Sequence, residues 1–141
     1  MGVSAWRLPV RWALVTLLAS ALLGAHPKPV QAVNIPVNIV SGGWAEGTGS
    51  NRIVATFTDP GCAPGVSYTA FITWGDGTTL IVGSGASISG TCAGGFTVRA
   101  GHLYAEEGTV QLSVAVTGTD GNAGNGSNSI AVADAAIAVT S

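Results

Sequence analysis

Residues 33–141 predict an all-β fold, with seven or eight short strands packed as two antiparallel sheets. Three observations carry this. Apolar and polar residues alternate in short runs, the period of a strand with one buried face. Clusters of Gly, Pro, Asn and Asp punctuate those runs at short intervals. No amphipathic stretch of about 10–15 residues links any two of them, which removes the α/β classes. The spacing leaves strand order open, and a small closed barrel is the alternative architecture.

The runs follow one another in a regular way. Ile35–Val40 opens the domain, with Pro36 suited to an edge because it cannot donate to a ladder. Arg52–Thr58 places Ile53, Ala55 and Phe57 on one face and stops at Asp59-Pro60-Gly61. In Val66–Trp74 the residues Val66, Tyr68, Ala70, Ile72 and Trp74 share a face. Phe71 sits among hydroxyls on the other, which predicts a central strand covered at least in part on both sides. After the turn Gly75-Asp76-Gly77, Leu80–Val82 returns as a short strand, and Ala86–Ser89 and Phe96–Ala100 flank a turn at Cys92. Val110–Thr117 alternates most cleanly. Gly118–Ser129 reads as a loop, too polar and Gly-rich for a strand, and Ile130–Thr140 closes the domain.

Residues 1–32 are expected to be a signal peptide. Arg7 and Arg11 precede the uncharged run Trp12–Gly24, and Val30 and Ala32 fit the small-residue positions of a cleavage site. That run is about 13 residues, short of the roughly 20 that cross a bilayer as a helix. Cleavage after Ala25 and a retained N-terminal anchor are the alternatives. Beyond the signal only Arg52 and Arg99 stand against the chain's 7 acidic residues, so no basic stripe exists to neutralise phosphates. Nucleic acid is thereby excluded as a partner, and the remainder holds no second apolar span. Cys62 and Cys92 are the chain's 2 cysteines; outside the cytoplasm such a pair is expected to be bridged. Closing a loop of that length contributes roughly 3–4 kcal/mol on the chain-entropy estimate.

Trp74-Gly75-Asp76-Gly77-Thr78, followed by His102-Leu-Tyr104 and Gly108-Thr109-Val110, resembles the polycystic-kidney-disease-type (PKD) domain of bacterial surface repeats. Ala45-Glu-Gly47, Val54–Pro60 and Val132–Ala136 extend the similarity over nearly all of Ala45–Ala136. The resemblance implies an immunoglobulin-like β-sandwich used as a module of larger extracellular proteins. It also implies that His102 and Tyr104 pack and hydrogen-bond near the domain edge, with Tyr104 a corner tyrosine. Val110 departs from the aromatic often found there, and the cysteine pair is not a general feature of the family.

Read as chemistry, the same residues point away from catalysis. Trp74 is a core ring able to seal the space between sheets, and Asp76 between two glycines can accept the N–H groups of a sharp turn. Past the signal His102 is the only imidazole, too little for a zinc site. Glu106 and Glu107 are adjacent and read as a solvated turn rather than the separated carboxylates of a glycosidase. No serine has a nucleophile-elbow context. No cofactor is required, while Asp59, Asp120 and Asn122 lie in loops that could together take calcium, an ion that prefers oxygen ligands. Asn125-Gly-Ser127 matches an N-glycosylation sequon.

The expectation is therefore a non-catalytic extracellular or cell-surface module for adhesion, binding or spacing, with a periplasmic setting also compatible. Its partners would be extracellular protein, glycan or copies of itself. An exported enzyme inhibitor or a carbohydrate-binding module is the alternative.

Overall fold

The computed structural model describes residues 31–83 and 87–135. The expected signal segment up to residue 30, Ala86 of an expected strand and the closing residues 136–140 lie outside the described residues. Nine strands form among those described, against the seven or eight expected. They are β1 (Val37–Ile39), β2 (Trp44–Ala45), β3 (Arg52–Phe57), β4 (Tyr68–Thr73), β5 (Thr79–Gly83), β6 (Ile88–Thr91), β7 (Gly95–Ala100), β8 (Gly108–Gly118) and β9 (Ala123–Ala133). They build an immunoglobulin-like β-sandwich, with a four-stranded sheet ordered β1-β3-β7-β6 and a five-stranded sheet ordered β2-β9-β8-β4-β5. No helix among the described residues is long and apolar enough to cross a membrane.

The core follows from the alternation. Val54, Phe57 and Val98 of the smaller sheet meet Ile72, Leu112, Val114, Val116 and Ile130 of the larger one, all fully or almost fully buried. Each such side chain contributes about 1.5–3 kcal/mol by leaving water. In β3 the expected single apolar face of Ile53, Ala55 and Phe57 is broken by a bulge between Ile53 and Ala55. The extra residue turns Val54 inward beside Ala55, so two adjacent side chains are buried where strict alternation allows one.

Two further expectations need comment. β4 is an interior strand as expected, paired with β8 on one side and β5 on the other, but its outer face is largely open, with Phe71 45% exposed. A two-layer sandwich gives each sheet only one inner face. Ile72 and Ala70 take it here, leaving Phe71 on the outside. Gly118–Ser129 is not a loop. The reversal is confined to residues 119–122, and Ala123 to Ala133 runs antiparallel to β8 through an unbroken register from Thr117↔Ala123 to Gly108↔Val132.

The glycines that disguised this strand have a packing reason. Val33–Ile35 lies along the start of β9, where the Ile35 N–H donates to the Ala123 carbonyl at 2.9 Å. Pro36, unable to donate, marks the point of departure, and Val37–Ile39 then pairs with β3 in the other sheet. The crossing backbone passes so close that a Cβ at Gly124 would meet the Ile35 carbonyl, and one at Gly126 the Val37 carbonyl. Only a residue without a side chain admits that approach.

Gly126→Val is accordingly expected to lower the unfolding free energy by about 1–3 kcal/mol, the range for forcing atoms into filled space. Gly42→Ala, where nothing lies within 4 Å, should leave it unchanged. Urea denaturation of both variants checks the difference. Equal stability would mean that the crossing does not press on β9.

Candidate functional site

The residues singled out by sequence gather at the two ends of β4. Beyond its C-terminal end the backbone reverses through Trp74-Gly75-Asp76-Gly77-Thr78, with the Trp74 N–H donating to the Thr78 carbonyl at 3.1 Å. Gly75 has a φ of 88°, and a Cβ there would strike the backbone of Gln111, so the turn tucks against β8 only with glycine. Asp76 Oδ1 accepts from the Thr78 N–H at 3.0 Å and its hydroxyl at 2.6 Å. Asp76 Oδ2 lies 2.6 Å from His102 Nε2. Because a carboxylate only accepts, that nitrogen carries the proton.

His102 and Tyr104 belong to the connection from β7 to β8, which crosses from one sheet to the other. The imidazole stacks on the Trp74 indole, with centroids 4.5 Å apart and planes 10° apart. The buried Tyr104 hydroxyl donates to the Trp74 carbonyl at 3.0 Å. The Trp44 ring meets both Trp74 and Tyr104 edge-on at 5.7 and 5.5 Å, and the Arg52 guanidinium covers it at 4.5 Å. Arg52 also donates to the carbonyls of Gly42 and Gly43. Trp44 and Arg52 were missed by sequence reasoning. The Gly42-Gly43 pair just before Trp44 is their one local signal.

The electrostatics of this end are those of a clamp. Burial works against the Asp76 charge, but the Thr78 hydroxyl, the Thr78 N–H and then the His102 hydrogen bond and charge outweigh it, lowering the carboxyl from 3.8 to about 2. Burial, with the Asp76 charge behind it, pushes the Tyr104 phenol up to about 12. A hydrolytic triad places a carboxylate on one imidazole nitrogen and a hydroxyl nucleophile on the other. Here the carboxylate and the Thr78 hydroxyl both face Nε2, and the hydroxyl proton goes to the carboxylate. That arrangement does not activate an oxygen. Gly108 stands apart from the clamp, exposed at the start of β8.

At the N-terminal end of β4 the structure brings together Asp59, Asp120 and Asn122. Asp59 and Asn122 are buried. The Asn122 amide donates to Asp59 Oδ1 at 3.0 Å and to Asp120 Oδ2 at 2.9 Å, while its side-chain carbonyl accepts from the Val33 N–H at 2.7 Å. The Tyr68 hydroxyl donates to Asp59 Oδ2 at 3.0 Å, and the Gly61 N–H to Oδ1 at 2.8 Å. Burial first, then the hydrogen bond and charge of Asp59 and the charge of Asp120, push the Tyr68 phenol up to about 12. The carboxylate oxygens thus already receive protein N–H and O–H groups, and a cation would meet an amide donor between the two acids. Elsewhere the carboxylates of Glu46, Glu106 and Glu107 come within 4.8 Å of one another, a group that could hold a metal ion.

The connection that carries Asp59 is also stapled: Cys62 and Cys92 are joined, with Cα atoms 5.5 Å apart. This ties the crossing from β3 to β4 onto the turn between β6 and β7. The outer face of the five-stranded sheet is different in kind. Thr69, Phe71 and Thr73 of β4 align with Thr79, Ile81 and Gly83 of β5 and with Ser113, Ala115 and Thr117 of β8. Asn125, Ser127 and Ser129 of β9 extend the rows. None of these residues is charged.

The Asp76 clamp makes stability depend on pH with a definite sign. Its carboxyl lies below its ordinary value in the folded state, so the stabilisation is complete above about pH 4 and is lost as pH falls toward about 2. Screening at this partly exposed site limits it to about 1 kcal/mol. Asp76→Asn should lose that amount at neutral pH and show a shallower fall in denaturation midpoint through the acid range. An identical acid limb in both proteins would show that the clamp carries no stability.

No family model and no curated protein matches the sequence. Among solved structures, the PKD domain of an M14-like peptidase from Thermoplasmatales archaeon SCGC AB-540-F20 is similar at 25% identity, covering 71% of this chain and 94% of that one with a TM-score of 0.46.

Proposed function

We propose that the chain is an exported, non-catalytic PKD-like module, residues 33–141 after a signal peptide at 1–32, working at the cell surface or outside it in adhesion, binding or spacing. One observation carries this reading. The carboxylate, imidazole and phenol groups best placed for chemistry at the ends of β4 are committed to holding turns and crossings. What the larger sheet presents outward is an uncharged field of hydroxyls, amides and the Phe71 ring. Such a face is suited to neutral partners, glycan or protein, and offers nothing to phosphate.

An inhibitor would need a long exposed loop to fill a cleft, and the Gly-rich stretch 118–129 that could have supplied one is mostly the strand β9, which counts against that alternative. The reading requires no cofactor, and calcium is tested at both acidic groups by chelation: an unchanged melting temperature removes the ion from the account.

Incubation with a panel of secreted-hydrolase substrates is expected to give no turnover, while an array of glycans and surface proteins should retain the chain. The exported protein should begin at Val33 on N-terminal sequencing. Turnover that disappears in both Asp76→Asn and His102→Ala would replace this reading with an enzymatic one, and uniform failure to bind would narrow it to spacing or assembly.

A further inference from the structure

Among the described residues the two sheets have four edges, and three are blunted. β2 is only two residues long. β1 has three residues and follows Pro36. β6 contains Gly90 at a φ of 148° and runs straight to the disulfide at Cys92. β5 is different. Its five residues, Thr79-Leu-Ile-Val-Gly83, carry no charge and no proline, and their register with β4 is unbroken. Natural sheets usually guard such an edge with Lys, Pro or a bulge, because its free N–H and C=O groups accept another strand. Ile81 is 65% exposed and Leu80 37%.

We infer that β5 is a self-association edge, pairing antiparallel with β5 of a second copy about a two-fold axis at Ile81. This rests on the non-catalytic surface reading above and deepens it. The phase of the ladder selects the residue. The bond from the Trp74 N–H to the Thr78 carbonyl makes Thr78 a hydrogen-bonded partner of β4. Alternate residues then face β4, and Thr79, Ile81 and Gly83 turn their amides and carbonyls to the free edge. With the axis at Ile81, Thr79 meets Gly83 of the second copy and Ile81 meets its own equivalent, so the outward-facing backbone groups of the strand are satisfied. On the outer face an apolar row then runs from Phe71 through Ile81 into Ile81 and Phe71 of the second copy.

Self-complementarity favours a second copy as the occupant: about Ile81 the edge's outward N–H and C=O groups and the Phe71–Ile81 row match their own equivalents. The described chain is acidic overall, so two copies repel unless they approach through neutral surface. The β5 edge and the face beside it are that surface. The axis also sends the two Asp76 side chains to opposite ends of the joint, away from each other. A five-residue pairing buries less than the roughly 1,200 Å² of a standard interface, which places it among weak associations, strengthened where copies are concentrated on one surface.

Sedimentation of the full chain, expressed so that export can process it, should show the mass doubling as concentration rises toward about 1 mM, the range of weak interfaces. Ile81→Lys is expected to stay monomeric throughout while keeping its melting temperature, and Ile81→Val to dimerise as the parent does. The native cysteines are bridged, so introduced thiols can be addressed alone. With the shortest bis-maleimide reagent, Ile81→Cys should cross-link to dimer and Thr79→Cys, displaced from its own equivalent by the two-fold, should not. A parent chain that remains monomeric, or cross-linking equal at both positions, overturns the pairing. Either result leaves the surface reading intact if glycan or protein binding persists, whereas substrate turnover sinks that reading and leaves the mass measurement standing.

Discussion

A connection that leaves one sheet and joins the other takes its backbone out of a hydrogen-bonded ladder, and the polar groups it strands must be satisfied where it crosses. The rest of this sandwich depends on how that constraint is met. At one end of β4 the crossing that carries His102 and Tyr104 is fastened to the turn at Trp74–Thr78 by a stacked imidazole, a carboxylate and a phenol. At the other end the crossing that carries Asp59 is fastened to Tyr68 and to the β8–β9 reversal through Asn122. A disulfide then joins that same crossing to the smaller sheet. The two layers are set against each other by these ties as well as by the apolar core between them.

The ties also take up the ionisable groups at the two ends of β4. Asp76 is stabilised as an anion by donors that belong to its own turn and to one crossing. Asp59 is buried, with its oxygens filled by an amide, a phenol and a main-chain N–H. Polar networks of this kind specify one arrangement because a half-satisfied version is costly. With Asp59 and Asp76 so engaged, the contact surfaces proposed for the molecule are neutral ones: the hydroxyl-rich outer face of the five-stranded sheet and the edge of β5.

Much of the candidate site was legible in order but not in arrangement. Glycines around Asp76 announced a sharp reversal, and the alternation in Val110–Thr117 announced a strand with one buried face. Asp59, Asp120 and Asn122 were grouped as oxygen ligands, yet the bond from the Asn122 amide to Asp59 spans 63 residues, and no local pattern reveals which atom of the amide faces the acids. Trp44 and Arg52 escaped notice for a similar reason. A two-residue strand has no period, and a guanidinium over an indole is a contact between segments.

By itself the sequence determined the two-layer β class, because side-chain alternation and turn chemistry are local properties that act within a few residues. Only the tertiary structure decided that a Gly-rich polar stretch would be the strand β9. Its glycines answer to the backbone of Ile35 and Val37, nearly ninety residues earlier in the chain, and a demand for empty space leaves no local trace beyond the absence of a side chain.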